Sequence, residues 1–306
     1  MPVISVSQLS KKYRRVQALD DVSMEVNQGE VFGLIGPDGA GKTTLFRILA
    51  TLILADKGRA SVLGLDVVKA FKTIRNRVGY MPGRFSLYQD LTVEENLQFY
   101  ATIFDTTIQE NYHLIKEIYQ QIEPFKKRRA GDLSGGMKQK LALSCALIHK
   151  PEVLFLDEPT TGVDPVSRKE FWEILKRLKQ EGITILVSTP YMDEAGLCDR
   201  IALIQHGQLL TIDTPSAIVN GFDGRLLAVT SDAMTRLLAD LRLHEQTMSC
   251  FAFGDTHHLT LKNDTLTDTD LKSWLGQRGH TNVHIRPIDA TIEDCFMQLS
   301  SNHAEL

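Results

Sequence analysis

Gly36-Pro37-Asp38-Gly39-Ala40-Gly41-Lys42-Thr43-Thr44 is the stretch that decides how this chain folds. A short apolar run from Glu30 to Ile35 precedes it, and a helical pattern follows through Leu45, Phe46, Ile48 and Leu49. Strand, glycine-rich turn and helix start form the setting in which G-x-x-x-x-G-K-[ST] cradles phosphate. Glycines let the backbone curl until several N–H groups converge, and the helix N-terminus adds partial positive charge. In that setting Lys42 supplies a point charge to β- and γ-phosphates, and the Thr43 hydroxyl is placed to ligate Mg²⁺.

Far downstream, Val153-Leu154-Phe155-Leu156 has the continuous apolar character of a strand buried on both faces. It ends in Asp157-Glu158-Pro159. A carboxylate at Asp157 can hold Mg²⁺, and Glu158 follows where a base polarises water. Just upstream stands Leu133-Ser134-Gly135-Gly136-Met137-Lys138-Gln139. Ser134 reads as the cap of a helix that is apolar at Leu141, Leu143, Cys145, Ala146 and Ile148.

With these motifs in this order the sequence resembles the ABC ATPase family, nearly continuously over residues 1 to about 220. The resemblance implies a RecA-like α/β P-loop core with an antiparallel β subdomain and a helical insert at about 84–150. It implies that ATP and Mg²⁺ are the cofactors and that Glu158 is the catalytic base. ATP would contact Tyr13, which matches the adenine-stacking aromatic, and Gly36 to Thr44, with Mg²⁺ on Thr43 and Asp157. Ser134, Gly135 and Gly136 match the signature that touches the ATP of an opposing subunit. Thr161-Gly162-Val163-Asp164-Pro165 matches the loop whose aspartate crosses the dimer interface. Asp164 also reads as a helix cap with Pro165 at the first helical position, so the two roles coexist.

Two positions depart from the family pattern. After Val78-Gly79-Tyr80-Met81-Pro82 the family carries a glutamine that touches Mg²⁺ or the attacking water, and here Gly83 stands. After Ile183 to Thr189 the family carries a histidine on the γ-phosphate, and here Pro190 stands, without a polar side chain or a backbone N–H. Binding of Mg·ATP is therefore expected with slow turnover. An intact signature could still complete a site on a second, partner ATP-binding subunit, giving a heterodimer; a homodimer in which Glu158 suffices is the rival.

Residues 84 to about 150 read mainly helical, with Thr92-Val93-Glu94-Glu95 in capping-box form. Phe85-Ser86-Leu87-Tyr88 has two readings: the edge of a groove for a permease helix, or simple packing under the helical part. From 221 to 306 the character changes. Strand Arg225–Thr230, helix Met234–Leu243, strands near Cys250–Phe253 and His258–Leu261, helix from Asp268 to about Gly276 and strand Asn282–Ile288 spell βαββαβ, a small ferredoxin-like α+β domain. His257, His258, His280 and His284 alternate with threonines without evident carboxylate support and do not read as a metal site.

Composition narrows the function. With 306 residues, 43% hydrophobic and 24% charged, the chain suits one large domain and a small one, and a net charge of −4 gives no reason to expect nucleic acid. Nothing approaches the roughly 18 apolar residues of a membrane span, the N-terminus lacks signal-peptide regions, and Cys145, Cys198, Cys250 and Cys295 form no CxxC pair. Any role at a membrane is therefore expected to come through a partner, and the resemblance implies that this partner is a set of permease subunits, met at the cytoplasmic face of the inner membrane. The phrases Gly36-Pro37-Asp38-Gly39 and Ser188-Thr189-Pro190-Tyr191-Met192-Asp193-Glu194-Ala195 resemble exporters that pair with separate six-span permeases. DNA-acting members insert long coiled coils, and only about 90 residues separate Lys42 from the signature here. Ribosome-acting members carry two cores, and importers with extensions usually carry β-rich ones. An ATP-sensing regulator remains an alternative because of Gly83 and Pro190.

Overall fold

The computed structural model describes residues 2–263 and 265–304, with no account of the side chains beyond 301. By contact the chain divides into two compact units, Met1–Pro215 and Ser216–Leu306. In chain order the first contains β1 (Pro2–Tyr13), β2 (Val16–Asn27), β3 (Val31–Ile35), α1 (Lys42–Leu49), β4 (Lys57–Val62), β5 (Leu65–Asp66), α2 (Phe71–Arg75) and β6 (Val78–Met81). Next come α3 (Val93–Ile103), α4 (Tyr112–Tyr119), α5 (Gly135–Leu147), β7 (Val153–Asp157), α6 (Pro165–Gln180), β8 (Thr184–Thr189), β9 (Arg200–Gln205) and β10 (Gln208–Asp213).

Six strands form the central sheet in the order β10-β9-β3-β8-β7-β6, parallel from β9 to β6, with β10 antiparallel at the edge. Every residue of β3, β7 and β8 is buried, as expected of apolar strands covered on both faces. A second, antiparallel sheet, β2-β1-β4-β5, packs with α1 and the central sheet into one core. Phe46 of α1 meets Phe155 of β7 edge to face with ring centroids 6.3 Å apart, which fixes α1 over the strand that ends in Asp157.

The stretch 84–150 is less helical than the sequence suggests. Three helices, α3 to α5, are joined by irregular segments and two 3₁₀ turns, Glu123–Phe125 and Ala130–Asp132. The capping box at α3 forms: Thr92 N donates to Glu95 Oε2 at 2.8 Å and Glu95 N to Thr92 Oγ1 at 3.2 Å. What organises the loop after β6 is Asn96, whose amide is fully buried. It accepts from Tyr88 N at 3.1 Å and donates to the carbonyls of Tyr88, Leu91 and Thr92. A short loop without regular structure needs such a side chain to satisfy its backbone.

The second unit runs α7 (Pro215–Asn220), β11 (Arg225–Thr230), α8 (Met234–Leu243), β12 (Thr247–Phe253), β13 (Thr256–Leu261), α9 (Asp268–Gln277), β14 (His284–Pro287) and α10 (Ile292–Ala304). Its antiparallel sheet has the order β12-β13-β11-β14, the ferredoxin-like arrangement. Leu227, Val229, Leu237, Leu241, Leu271 and Leu275 fill the core between strands and helices. One expectation is corrected here. His258 and His280 do have carboxylate partners, Asp294 at 2.6 Å and Asp240 at 2.9 Å, brought from α10 and α8 by folding rather than by sequence proximity. His257 instead lies 2.7 Å from Met234 O.

Replacing Asn96 by Ala removes the side-chain partner of three part-buried carbonyls and one N–H. We expect a loss of about 1–3 kcal/mol of stability in a denaturant titration, and an unchanged midpoint would remove Asn96 as the organiser of this loop.

Candidate functional site

The phosphate loop leaves β3 at the C-terminal edge of the central sheet and must turn at once, because β9 runs alongside. A Cβ on Gly36 would lie 2.1 Å from Ile204 O, so no side chain fits there. Gly41 caps α1 at φ +108°, where a Cβ would meet Ala18 O at 2.3 Å. The curl is closed by Ala40 N donating to Pro37 O at 3.2 Å and is tied to the sheet by Gly207 N donating to Ala40 O at 3.0 Å.

Lys42, the first residue of α1, points back into this curl. Its side chain is 2% exposed; Nζ donates to Gly36 O at 2.8 Å and Pro37 O at 3.0 Å and pairs with Glu158 Oε1 at 3.0 Å. Thr43 Oγ1 donates to Asp157 Oδ1 at 3.2 Å. Four residues named from two distant motifs thus meet at the end of β3 and β7.

Parallel pairing of β7 with β8 puts Asp157 beside Ser188. Ser188 Oγ donates to Asp157 Oδ1 at 2.7 Å and accepts from Glu158 N at 3.0 Å; that N–H also reaches Ser188 O at 3.1 Å. Glu158 has φ +51°, a left-handed conformation that costs a non-glycine residue roughly 1–2 kcal/mol. The Ser188 contacts hold that turn, which swings Glu158 out of the strand line toward Lys42. Burial raises the Asp157 carboxyl above its ordinary range, against the opposing hydrogen bonds from Ser188 and Thr43. Ser188 was not assigned a role from sequence; the signal was a hydroxyl at the end of an otherwise apolar strand.

Gly83, where the family carries glutamine, lies against this cluster. A Cβ on it would stand 3.0 Å from Asp157 O and 3.7 Å from Glu158 Cβ. Pro190 directly follows β8. Tyr13 ends β1, 42% exposed, with Lys11 Nζ 5.7 Å from its ring centroid.

The signature groups with a different set. Ser134 caps α5, its Oγ accepting from Met137 N at 3.4 Å. A Cβ on Gly135 would lie 3.5 Å from Gly162 O, and one on Gly136 would lie 3.0 Å from Ser167 Oγ. A side chain at Gly136 would crowd Ser167, whereas one at Gly135 would meet only ordinary contact, so it is Gly136 that lets α5 start close against α6. Asp164 caps α6, its Oδ1 accepting from Val166 N at 3.1 Å and Ser167 N at 3.0 Å, with Pro165 first in the helix. The Ser167 N–H holds the Asp164 carboxyl below its ordinary range.

A glycine-lined curl after a central parallel strand, an inward lysine, and a hydroxyl and two carboxylates around it define a P-loop nucleotide-binding core. The comparisons narrow this class. A family model described as ABC transporter matches residues 19–161. The chain is 38% identical over 303 residues to the probable multidrug ABC transporter ATP-binding protein YbhF of Escherichia coli (strain K12), which covers 97% of this chain and 52% of YbhF. The chain therefore spans about half the length of that relative. It is 34% identical over 315 residues to the Nod factor export ATP-binding protein I of Burkholderia lata, with 100% of each chain covered. A solved ATP binding subunit of an ABC transporter superposes with a TM-score of 0.65 at 28% identity, covering 71% of this chain and 92% of that one. The chain belongs to the ATP-binding proteins of the ABC transporter family.

The raised carboxyl of Asp157 has a stability consequence. A folded-state value above the unfolded one stabilises the fold at low pH, and that contribution is lost as pH rises through the folded value. Asp157→Asn should therefore melt higher than the parent at neutral pH in chelator without nucleotide, and the advantage should shrink as pH falls through the carboxylate range. A variant that melts lower at neutral pH would contradict this reading.

Proposed function

We propose that this chain is the ATP-binding and hydrolysing subunit of an ABC exporter, working as a dimer against permease subunits at the cytoplasmic face of the membrane. The observation that carries the reading is the meeting of the two motifs in two direct contacts, Lys42 with Glu158 at 3.0 Å and Thr43 with Asp157 at 3.2 Å. Phosphate oxygens of ATP entering the curl compete with Glu158 and the Gly36 and Pro37 carbonyls for Lys42. Once Lys42 turns to phosphate, Glu158 loses its ion-pair partner and becomes available as a base for water. Gly36 to Thr44 supply the N–H groups and helix start that bind the phosphates, with Tyr13 under the adenine.

The oxygens of Thr43 and Asp157, facing each other at 3.2 Å, are the hard donors that Mg²⁺ takes. When bound, the ion supplies charge neutralisation on the β- and γ-phosphates. Burial raises the Asp157 carboxyl, and a cation held there would favour its ionised form, which links ion binding to pH.

Ser134, Gly135 and Gly136 at the start of α5, beside Asp164, form the face offered to the ATP of a second subunit. For permease docking, an apolar cleft of about 280 Å³ opens between the end of β6 and the helical stretch, lined among others by Met81, Pro82, Leu87, Tyr100 and His149. Leu87 is buried in its wall, which supports packing under the helical part, and Tyr88 is half exposed beside it, where a permease helix could reach it. Among the described residues no helix is long and apolar enough to cross a membrane. The export names of the relatives, multidrug and Nod factor, support the exporter class.

Gly83 and Pro190 remove two polar groups from the γ-phosphate side, and loss of one preorganised group costs on the order of 10²–10³ in rate. The site built on this chain's own loop is therefore slow, and a heterodimer with a more complete ATPase is the favoured assembly, a homodimer its rival.

Steady-state Mg-ATPase of the assembled transporter tests this. Glu158→Gln should retain ATP binding and reduce turnover at this site by about 10² or more. Pro190→His, alone and with Gly83→Gln, should raise it. Unchanged turnover with both restored would overturn the slow-site reading, and full turnover in Glu158→Gln would overturn the assignment of the base.

A further inference from the structure

Glu194 is an acidic side chain only 3% exposed, in the 3₁₀ turn Met192–Leu197 that follows β8. A buried carboxylate is strongly unfavourable unless both oxygens are paired. Here Oε1 accepts from Arg168 Nε at 3.1 Å, with Nη2 at the same distance. Oε2 accepts from Thr189 Oγ1 at 2.6 Å and from Thr160 Oγ1 at 3.1 Å. These donors come from three separate segments, and each adjoins a residue of the site. Thr160 lies two positions after Glu158. Thr189 follows Ser188, which holds Asp157. Arg168 sits in the first turns of α6, whose cap is Asp164.

The same hub fixes the turn through Pro190. Thr189 Oγ1 accepts from Tyr191 N at 3.0 Å, a bond that spans a proline with no N–H of its own. The Arg168 guanidinium lies 4.2 Å from the Tyr191 ring centroid, and its Nη2 reaches Asp193 Oδ2 at 3.2 Å. One carboxylate thereby ties together the strand end behind Asp157, the loop after Glu158 and the helix start behind Asp164.

We propose that Glu194 is a positioning residue for ATP hydrolysis. It touches no substrate atom; it holds the two carboxylates and the Asp164 loop as one piece, so that movement at Asp164 is transmitted to Asp157 and Glu158. This rests on the reading of Asp157 and Glu158 as the hydrolytic pair. A purely structural ion pair has a different signature: its loss lowers the melting temperature and the fraction of folded protein, and leaves the rate per intact site alone.

The test is single-turnover hydrolysis of γ-labelled Mg·ATP by the assembled transporter carrying this full chain, expressed per nucleotide-binding site counted by stoichiometric titration. Glu194→Gln should slow hydrolysis by about tenfold to a hundredfold, the scale of a small misplacement of reacting groups, while ATP affinity stays within about twofold. Thr189→Val, which keeps shape and spares Ser188, should slow it less, and the double variant should be no slower than Glu194→Gln. If Glu194→Gln does not fold, Thr189→Val and Arg168→Lys carry the test by the same measure. An unchanged rate per site in the folded variants, at any melting temperature, overturns the proposal. Glu158→Gln separates the two levels: if it hydrolyses normally, the hydrolytic assignment itself has failed; if it is silent, the result for Glu194 stands by itself.

Discussion

The parallel register that sets Asp157 beside Ser188 is the constraint on which the site depends. It gives the buried Asp157 carboxylate a hydroxyl donor, and it offers Glu158 N two acceptors that sustain the left-handed turn at the strand end. Without that turn Glu158 would continue the strand and miss Lys42. Without the Ser188 hydroxyl, Asp157 would rely on Thr43 and Lys42 against its own desolvation. Strain at Glu158 and burial of Asp157 thus coincide at one strand end and are compensated by its neighbour, a common arrangement where geometry must be fixed before a ligand arrives.

From that strand end two routes lead outward. One passes through Ser188, Thr189 and Glu194 to Arg168 and the start of α6, and so to Asp164 and the signature. The other passes along the backbone around Asp157 to Gly83, then through the loop ordered by Asn96 to the apolar cleft at β6. The first faces the surface where a second subunit is proposed, and the second faces the proposed permease contact. Both meet at Asp157 and Glu158, the residues proposed to act at the γ-phosphate. Gly83 and Pro190 fall on these two routes, one on each.

Contiguous motifs made the phosphate loop, the Asp157-Glu158 strand and the helix caps at Thr92, Ser134 and Asp164 legible in the sequence, because each is a local pattern with a local cause. The βαββαβ order of the second unit was legible for the same reason: alternation and turn residues mark its strands, and only edges such as Thr247–Phe253 run longer than expected. What stayed hidden depends on long-range register. Ser188 and Glu194 gain their meaning only when β8 lies against β7 and the 192–197 turn folds under α6. The carboxylate partners of His258 and His280 were missed likewise, since Asp294 and Asp240 lie 36 and 40 residues away in the chain. The helical stretch was overestimated because its irregular loops, organised by Asn96 and short 3₁₀ turns, are rich in residues that also suit helices.

The most direct measurement is calorimetric titration of the full chain with ATP, with and without Mg²⁺, beside Lys42→Ala and Thr43→Ala. Binding should tighten with Mg²⁺, be lost in Lys42→Ala, and in Thr43→Ala persist with little response to Mg²⁺. Undiminished, Mg²⁺-responsive binding in both variants would contradict the claim that the cluster at the end of β3 and β7 is the nucleotide site.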